Sequence, residues 1–308
     1  MASYSEVVGR ESVALAAREW PSRTVQVADV PMLVRDVPDA RPDAEPALFV
    51  HGLGGSSTNW TALGLLLSDV VRGVAMDLPG FGHTPPRNDL GGINEHADTL
   101  LEFMAGEFDR PVHLFGNSMG GSIAVVLAAR HPEKVASLTL ISPAMPNPRP
   151  SAVAAWFIAL SAPRIGPAVM RRSAMLPFDR RVKTAMSMVF GDPRSLPPEF
   201  VAMYEAELHR REEQPWIADA VLAGARSIVQ SQLVPAKRSL WAEAARVTCP
   251  TLLVYGGRDR LVDSGIRNRA QQTFPNARLL YLPQSGHVAQ MEHPDQVATA
   301  FRQLLPGR

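Results

Sequence analysis

The sequence lacks the features that mark disulfide-rich and nucleic-acid-binding proteins. Cys249 is the only cysteine among 308 residues, which excludes an internal disulfide and a cysteine-based metal cluster and is typical of a reducing compartment. The 31 basic and 30 acidic side chains nearly cancel, so no strong field favours nucleic acid or an anionic membrane. We therefore expect small-molecule partners and no nucleic acid.

Long apolar runs are also absent. The longest run, around residues 152–162, falls well short of the roughly 18 to 20 residues that a bilayer requires. Charged residues interrupt the N-terminus, where a secretory signal needs an unbroken apolar stretch. We expect a cytoplasmic protein without stable membrane insertion, and its oligomeric state stays open.

Short apolar runs alternate with helical stretches along most of the chain. Hydrophobic residues make up 46% and charged residues 20%, which is enough apolar material for one large core or for a core with a sizeable insertion. Residues 24–37 have the pattern of two antiparallel strands that turn near Asp29 to Pro31. From Ala47 onwards, apolar runs are separated by segments of helical periodicity, such as Ile93 to Phe108 and Met119 to Arg130. This alternation predicts crossover units and a parallel sheet.

The alternation stops between about Pro143 and Leu240, where prolines and paired arginines cluster, and it resumes with the run T-L-L-V-Y-G. We predict a helical cap, or lid, inserted at residues 143–240. The α/β core would then comprise residues 23–142 and 241–308, preceded by an N-terminal arm or helix at residues 1–22.

The segment F-G-N-S-M-G-G, which contains Ser118, lies between a strand-like and a helix-like run. It fits the pattern G-x-S-x-G, in which a serine on a tight strand-to-helix turn is a nucleophile. Gly116 and Gly120 would have to be small so that the flanking segments can pass each other. The backbone N–H of Met119 would point at developing negative charge, helped by the helix dipole.

A second glycine-rich segment, H-G-L-G-G-S-S, directly follows the strand that ends at Val50. The Leu53 N–H is the predicted second donor of an oxyanion hole, with Gly54 as the alternative donor. A phosphate-binding loop is the competing interpretation, but neither G-x-x-x-x-G-K-[ST] nor G-x-G-x-x-G occurs. We expect His51 to be structural.

Two further loops supply the remaining candidate groups. Asp259 follows the strand-like run T-L-L-V-Y-G, with Asp263 as the competing carboxylate in the same loop. His287 lies in a loop after the last predicted strand. A neutral imidazole there could take the proton of Ser118 while Asp259 holds its tautomer and stabilises the cation that forms. The order serine, aspartate, histidine, each after a predicted strand, favours a catalytic triad.

From about Thr24 to Leu305 the sequence resembles the α/β-hydrolase family. The matching stretches are H-G-L-G-G-S, D-L-P-G-F-G-H-T-P, G-N-S-M-G-G, Y-G-G-R-D-R-L-V and S-G-H-V-A-Q-M-E-H-P. The resemblance implies a mostly parallel eight-stranded sheet with helices on both faces and a helical cap after the sixth strand. It also implies the same five positions: Ser118, Asp259 and His287 as the triad, and the amides of Leu53 and Met119 as oxyanion donors. Epoxide hydrolases and haloalkane dehalogenases carry an aspartate where this chain has Ser118, so we set those activities aside.

The string G-N-S-M-G-G is also similar to that of carbon-carbon bond hydrolases that cleave ring-fission products. In those enzymes the asparagine equivalent to Asn117, and another near Asn59, line the site. They usually carry a tryptophan just after the catalytic histidine, where this chain has Val288.

Large apolar residues of the insertion are candidates for lining an acyl-binding cleft, because unbranched methionines adapt to irregular ligands, and about half of them are expected to form the cap's own core instead. These candidates are Trp156, Phe157, Met170, Met175, Met186, Met188, Met203 and Trp216. We predict Asn117, Trp156 and Val288 as substrate-binding residues. The pairs Arg171/Arg172, Arg180/Arg181 and Arg210/Arg211 could bind a substrate carboxylate. Arginine pairs on helices are usually solvated, so we interpret them as solvated faces and name no binding arginine.

The leading hypothesis is hydrolysis of carboxylic esters with an apolar acyl or alcohol part, through an acyl-enzyme and without a metal or organic cofactor. The alternatives that use the same triad are carbon-carbon cleavage of a vinylogous diketone and acyl transfer to a nucleophile other than water. A non-catalytic binding module with this fold is the fourth possibility. Substrate identity, acyl-chain preference and stereoselectivity depend on how the insertion closes over the cleft.

Overall fold

The computed structural model describes residues 15–87, 91–147 and 152–305, and of residues 152–156 it describes the backbone only. The predicted sheet is confirmed, with eight strands in the order β1-β2-β4-β3-β5-β6-β7-β8. Strands β1 and β2 are antiparallel, β2 joins β4 antiparallel, and the remaining pairs are parallel. The strands are β1 Ser22–Val27, β2 Val30–Asp36, β3 Glu45–Val50, β4 Val71–Met76, β5 Val112–Asn117, β6 Val135–Ile141, β7 Thr251–Gly256 and β8 Ala277–Leu282.

Helices connect the parallel strands and fill the stretch between β6 and β7. Those that belong with the sheet are α1 Thr61–Leu66, α2 Ile93–Glu107, α3 Met119–Arg130, α9 Leu240–Ala244, α10 Arg267–Thr273, α11 Ala289–Glu292 and α12 Pro294–Leu304. Those between β6 and Leu240 are α4 Ala152–Ser161, α5 Ile165–Ala174, α6 Phe178–Val189, α7 Pro198–Glu212 and α8 Ile217–Leu233. The described residues of this stretch contain no strand.

The insertion is therefore helical where the structure describes it, and we call residues 152–233 the cap helices. The division of the chain into arm, core and cap domains stays a prediction, and residues 1–14 of the predicted arm lie outside the described residues. Among the described helices, none combines the length and apolar composition that crossing a membrane requires.

The core consists of two apolar layers, one on each face of the sheet. Successive side chains of β3 alternate between them, because neighbouring residues of a strand point to opposite faces. Leu48 and Val50 belong to one layer, and Ala47 and Phe49 belong to the other. Central strands buried on both faces contain nearly continuous apolar runs, as parallel strands covered by helices do.

An aromatic cluster lies beneath the nucleophile turn. The Phe115 ring lies 4.6 Å from Phe49 and 4.8 Å from Phe301, measured between centroids, and Trp60 lies 5.4 Å from Phe49. All four side chains are buried. This packing fixes the end of β5, from which the turn at Ser118 projects.

Candidate active site

Ser118 occupies a strained turn between β5 and α3. Its backbone has φ of 53° and ψ of −117°, a positive φ that non-glycine residues rarely adopt. The Ser118 N–H donates to the carbonyl of Ile141 at 3.0 Å, which ties the turn to β6. Ser118 is partly exposed while both neighbouring residues are buried, and it lines the cleft above the sheet.

The two glycines around Ser118 are required by different neighbours. A Cβ on Gly116 would lie 2.5 Å from the carbonyl oxygen of Gly120, which agrees with the expected close passage of the flanking segments. A Cβ on Gly120 would instead lie 2.4 Å from the carbonyl oxygens of both Val50 and His51. Gly120 is therefore small because α3 starts against the end of β3, a contact that the local sequence does not reveal.

Asp259 and His287 are hydrogen-bonded and buried. The His287 Nδ1 lies 2.9 Å from Asp259 Oδ2 and 3.1 Å from Oδ1, and the two side chains are 4% and 1% exposed. The Oδ1 atom also accepts the N–H groups of Leu261 at 2.8 Å and Val262 at 3.0 Å. The competing carboxylate, Asp263, accepts the Gly265 N–H at 2.8 Å and lies next to Asn147, so it is Asp259 that contacts the imidazole.

The environment of Asp259 favours its ionised form. Burial by itself disfavours the charge, but the opposite charge and hydrogen bond of His287 and the backbone amide of Val262 outweigh burial. The pKa of the Asp259 carboxyl is consequently lowered from its usual value of 3.8. A carboxylate next to Nδ1 keeps the proton of a neutral imidazole on that nitrogen and leaves Nε2 free to accept one.

The glycine-rich turn after β3 lies directly beside the serine. A Cβ on Gly52 would come within 3.0 Å of the Ser118 Cβ. The His51 Nδ1 donates to the Gly52 carbonyl at 2.7 Å, and Nε2 accepts the Leu78 N–H at 3.0 Å. Burial lowers the pKa of His51, so the ring is neutral and holds two backbone segments. This is the structural role expected for His51.

Most of the predicted groups line one cavity of about 200 Å³ between the sheet and the cap helices, whereas Asp259 and Met119 are not among its lining residues. Its lining includes Ser118, His287, Leu53, Asn117, Val288 and Asn59. A second cavity of about 300 Å³ also reaches Ser118 and continues towards Ile158 and Leu233. A wider groove of about 480 Å³ on the opposite face of α8 contains none of the predicted site residues.

The candidate cleft residues of the cap divide into several groups. Phe157 and Met188 line the cavity. Met186 is buried in the cap's own apolar cluster, as expected for about half of these residues. Met175 is 85% exposed, so the expectation that it lies in the cleft or the cap core is wrong. The side chain of Trp156 lies outside the described residues.

Asn117 has a positioning role that the sequence does not show. Its Nδ2 donates to the carbonyls of Ile141 and His287, each at 3.0 Å. The amide therefore fixes the loop that carries the imidazole, although the residue also lines the cavity. Substrate contact by Asn117 and Val288 stays a prediction.

Two groups near the site were not identified from the sequence. The buried Glu292 accepts the N–H of Gly286 at 2.7 Å and that of Gly191 at 2.8 Å, which joins the histidine loop to the segment directly after α6. Arg211, expected on a solvated face, is 5% exposed and lines the cavity. The interpretation of Arg210/Arg211 as a solvated pair is wrong for Arg211 because α7 turns this side chain towards the core.

Comparison with known proteins gives consistent matches. A family model described as alpha/beta hydrolase fold matches residues 46–294. The chain is 26% identical to a 2-hydroxy-6-oxononadienedioate/2-hydroxy-6-oxononatrienedioate hydrolase of Cupriavidus pinatubonensis, over 87% of each chain. It is 25% identical to Lipase 1 of Psychrobacter immobilis, over 86% of this chain and 78% of the lipase. A solved 2-hydroxy-6-oxo-6-phenylhexa-2,4-dienoate hydrolase from Rhodococcus sp. strain RHA1 has a TM-score of 0.76 at 19% identity, over 93% of this chain and 98% of that one.

Proposed function

Because the chain belongs to the α/β-hydrolase family, we propose that it is a serine hydrolase that cleaves carboxylic esters with an apolar acyl or alcohol part. The observation that carries this proposal is the cavity that Ser118 and His287 share, with the Nδ1 of His287 held by buried Asp259. A nucleophile beside a base that is itself oriented by a third group is the arrangement that activates a hydroxyl.

The reaction would proceed in two halves. The Ser118 Oγ attacks the ester carbonyl carbon and gives its proton to His287 Nε2. The electron pair of the C–O double bond moves to the carbonyl oxygen, and the amides of Leu53 and Met119 stabilise this oxyanion. Collapse of this intermediate breaks the ester bond as His287 protonates the leaving alcohol. Water, deprotonated by His287, then attacks the acyl-enzyme and releases the acid and free Ser118. The scheme uses no metal or organic cofactor.

The apolar lining supports an apolar substrate. The two cavities that meet at Ser118 are lined largely by aliphatic and aromatic side chains, among them Phe157, Val221 and Leu261. Burial of hydrocarbon against such walls contributes roughly 25 cal/mol per Å² of apolar surface. The similarity to a lipase, an enzyme named for its action on lipids, favours the same substrate class.

Replacement of Ser118 by Ala tests the proposal. With short and medium aryl esters we expect kcat to fall by roughly 10³-fold or more, because the nucleophile is lost. The matched control is Ser122→Ala, a buried serine one turn further along α3 whose hydroxyl donates to the Ala144 carbonyl, and it should keep kcat within several-fold. Equal turnover by Ser118→Ala and wild type would exclude the mechanism.

Carbon-carbon cleavage of a vinylogous diketone is the second candidate. It is favoured by the similarity to a ring-fission product hydrolase and by the presence of Asn59 and Asn117 in the cavity. Loss of absorbance from a coloured ring-fission product, followed beside ester hydrolysis under the same conditions, distinguishes the two reactions. A bleaching rate above that of the best ester would replace the ester proposal.

A further inference from the structure

A buried ion pair on α7 contacts the turn that carries the proposed oxyanion donor Leu53. Glu207 and Arg211 lie one helical turn apart, with 3.6 Å between Arg211 Nε and Glu207 Oε1. Each is 5% exposed, although charged residues are rarely buried so deeply. Both side chains reach from the cap helices to residues 54–56 of the core.

The contacts to the turn are direct hydrogen bonds. Arg211 Nη1 donates to the carbonyl of Gly54, and the Ser56 Oγ donates to Glu207 Oε1. Arg210 donates to Glu207 Oε2 at 2.7 Å from the other side but is half-exposed. The pair therefore holds the turn at two points, one on each side of Gly55.

The turn has a conformation that such contacts can hold. Gly54 has a φ of +69°, in the left-handed region. The core fixes the base of the turn, because the Gly55 N–H donates to the Gly52 carbonyl at 3.0 Å and the Ser57 N–H donates to Asp77 at 2.7 Å. The tip, Leu53 and Gly54, is contacted from the cap.

Helix α8 contacts the same tip from the cap side. A Cβ on Gly224 would lie 2.4 Å from the Leu53 Cδ1, so the glycine leaves just enough room for this side chain. Leu53 thus packs against α8, while the carbonyl of the next residue, Gly54, is hydrogen-bonded to Arg211 on α7. The Leu53 amide is set by contacts with two cap helices as well as by β3.

Stability alone does not require this pair. Buried ion pairs are often replaced by apolar side chains without loss of stability, since the desolvation of both charges offsets their attraction. An apolar pair could not accept from Ser56 or donate to Gly54. We propose that Glu207 and Arg211 are positioning residues that hold the oxyanion turn in its reactive geometry from the cap, an inference that rests on the proposed ester hydrolysis.

The test removes both charges together, so that neither is left buried without its partner. In the double variant Glu207→Gln/Arg211→Met, we expect kcat for an aryl ester to fall roughly 10- to 100-fold with KM within about 3-fold, since a donor displaced by a fraction of an ångström is lost mainly in the transition state. The single variant Arg211→Lys, which can still donate to the Gly54 carbonyl, should keep most of the wild-type kcat. Glu213→Gln, which changes an exposed carboxylate directly after α7 that contacts His209, is the matched control and should keep kcat within about 2-fold.

Labelling of Ser118 by a fluorophosphonate gives a second readout that does not depend on ester preference. The labelling rate should fall in the double variant by a factor similar to that for kcat. If kcat and labelling in the double variant equal those of Glu213→Gln, the positioning role is wrong while ester hydrolysis stands. If the wild type neither hydrolyses esters nor reacts with the probe, both proposals fail.

A folding defect in the double variant would be detected by circular dichroism. In that case Ser56→Ala decides, with Thr58→Val as its control, because the Ser56 hydroxyl donates to Glu207 and also lies 2.8 Å from Thr58 Oγ1. Ser56→Ala should lower kcat by roughly 3- to 10-fold with KM unchanged if the turn needs this contact. Wild-type kcat in a folded Ser56→Ala variant would overturn the inference.

Discussion

Replacement of Asp259 by Asn tests the proposed triad most sharply, because it keeps the shape of the side chain and changes only one oxygen to an amide nitrogen. In the native protein Oδ1 accepts the N–H groups of Leu261 and Val262, at 2.8 and 3.0 Å, and Oδ2 contacts His287 Nδ1 at 2.9 Å. The asparagine has only one oxygen, which cannot accept from the two backbone N–H groups and contact His287 Nδ1 at the same time. Its orientation then decides which nitrogen of the imidazole carries the proton.

The magnitude follows from the two possible orientations. With its oxygen towards the backbone, the amide keeps both N–H groups bonded and points its NH₂ at His287 Nδ1, which forces the proton onto Nε2 and removes the base. The flipped orientation restores the base but leaves the two partly buried N–H groups without an acceptor, at about 1 to 3 kcal/mol each. The productive orientation is then disfavoured by about 2 to 6 kcal/mol, which corresponds to a loss in kcat of roughly 30-fold to 10⁴-fold.

The assay is steady-state hydrolysis of a medium-chain aryl ester between pH 6 and 9. We expect kcat of Asp259→Asn to fall within this range with KM nearly unchanged, since the substituted group does not line the cavity. Asp263→Asn, in the same loop but without a contact to His287 in the described structure, should stay within about 3-fold of wild type. A kcat for Asp259→Asn within 3-fold of wild type would refute the assignment of Asp259.

Two further predictions concern stability. Burial lowers the pKa of His113 below 6.5, so below that pH the unfolded chain binds a proton that the native ring does not. The free energy of unfolding should therefore decrease as the pH falls below 6.5, by up to about 1.4 kcal/mol per pH unit for this residue. Urea denaturation at pH 7.5 and 5.5 should show a smaller decrease for His113→Gln, and an equal decrease would contradict the prediction. Gly120→Ala should lower the free energy of unfolding by about 1 to 3 kcal/mol, because the added Cβ clashes with the carbonyls at the end of β3, and thermal denaturation should show this as a lower melting temperature. Gly106→Ala, where an added Cβ meets nothing within 4 Å, is its control, and equal melting temperatures would disprove the clash.

The sheet could be predicted from sequence because its signal is local. Strands buried on both faces need short apolar runs, and crossover helices need one or more apolar faces, so the pattern of each segment follows from its own environment. The candidate loops were also predictable, since catalytic groups in parallel sheets collect after the carboxyl ends of strands. Asp259 and His287 each follow a strand, and their hydrogen bond confirms that the two loops meet.

The cap could not be predicted to the same depth. Methionines on amphipathic helices have the same local pattern whether they face a cleft, the cap interior or solvent, and Met188, Met186 and Met175 take these three environments in turn. The same limit applies to Arg211. An arginine pair on a helix indicates a solvated face until the helix is placed against the core, and that placement depends on contacts distant in the sequence.

The positions that were predicted wrongly lie in the cap, whose contacts with the core also bear on function. The cap helices touch both loops on which the proposed chemistry depends: the His287 N–H donates to the Val189 carbonyl at the end of α6 at 2.7 Å, and Arg211 on α7 donates to Gly54. A cover that merely selected substrates would need contacts to the cavity but none to the backbone of these loops. Because the cap instead bonds to both loops, a shift of α6 or α7 would move the base and the oxyanion donor as well as the cavity wall. Substitutions of the cap residues that bond to these loops should therefore change kcat even where KM is nearly kept.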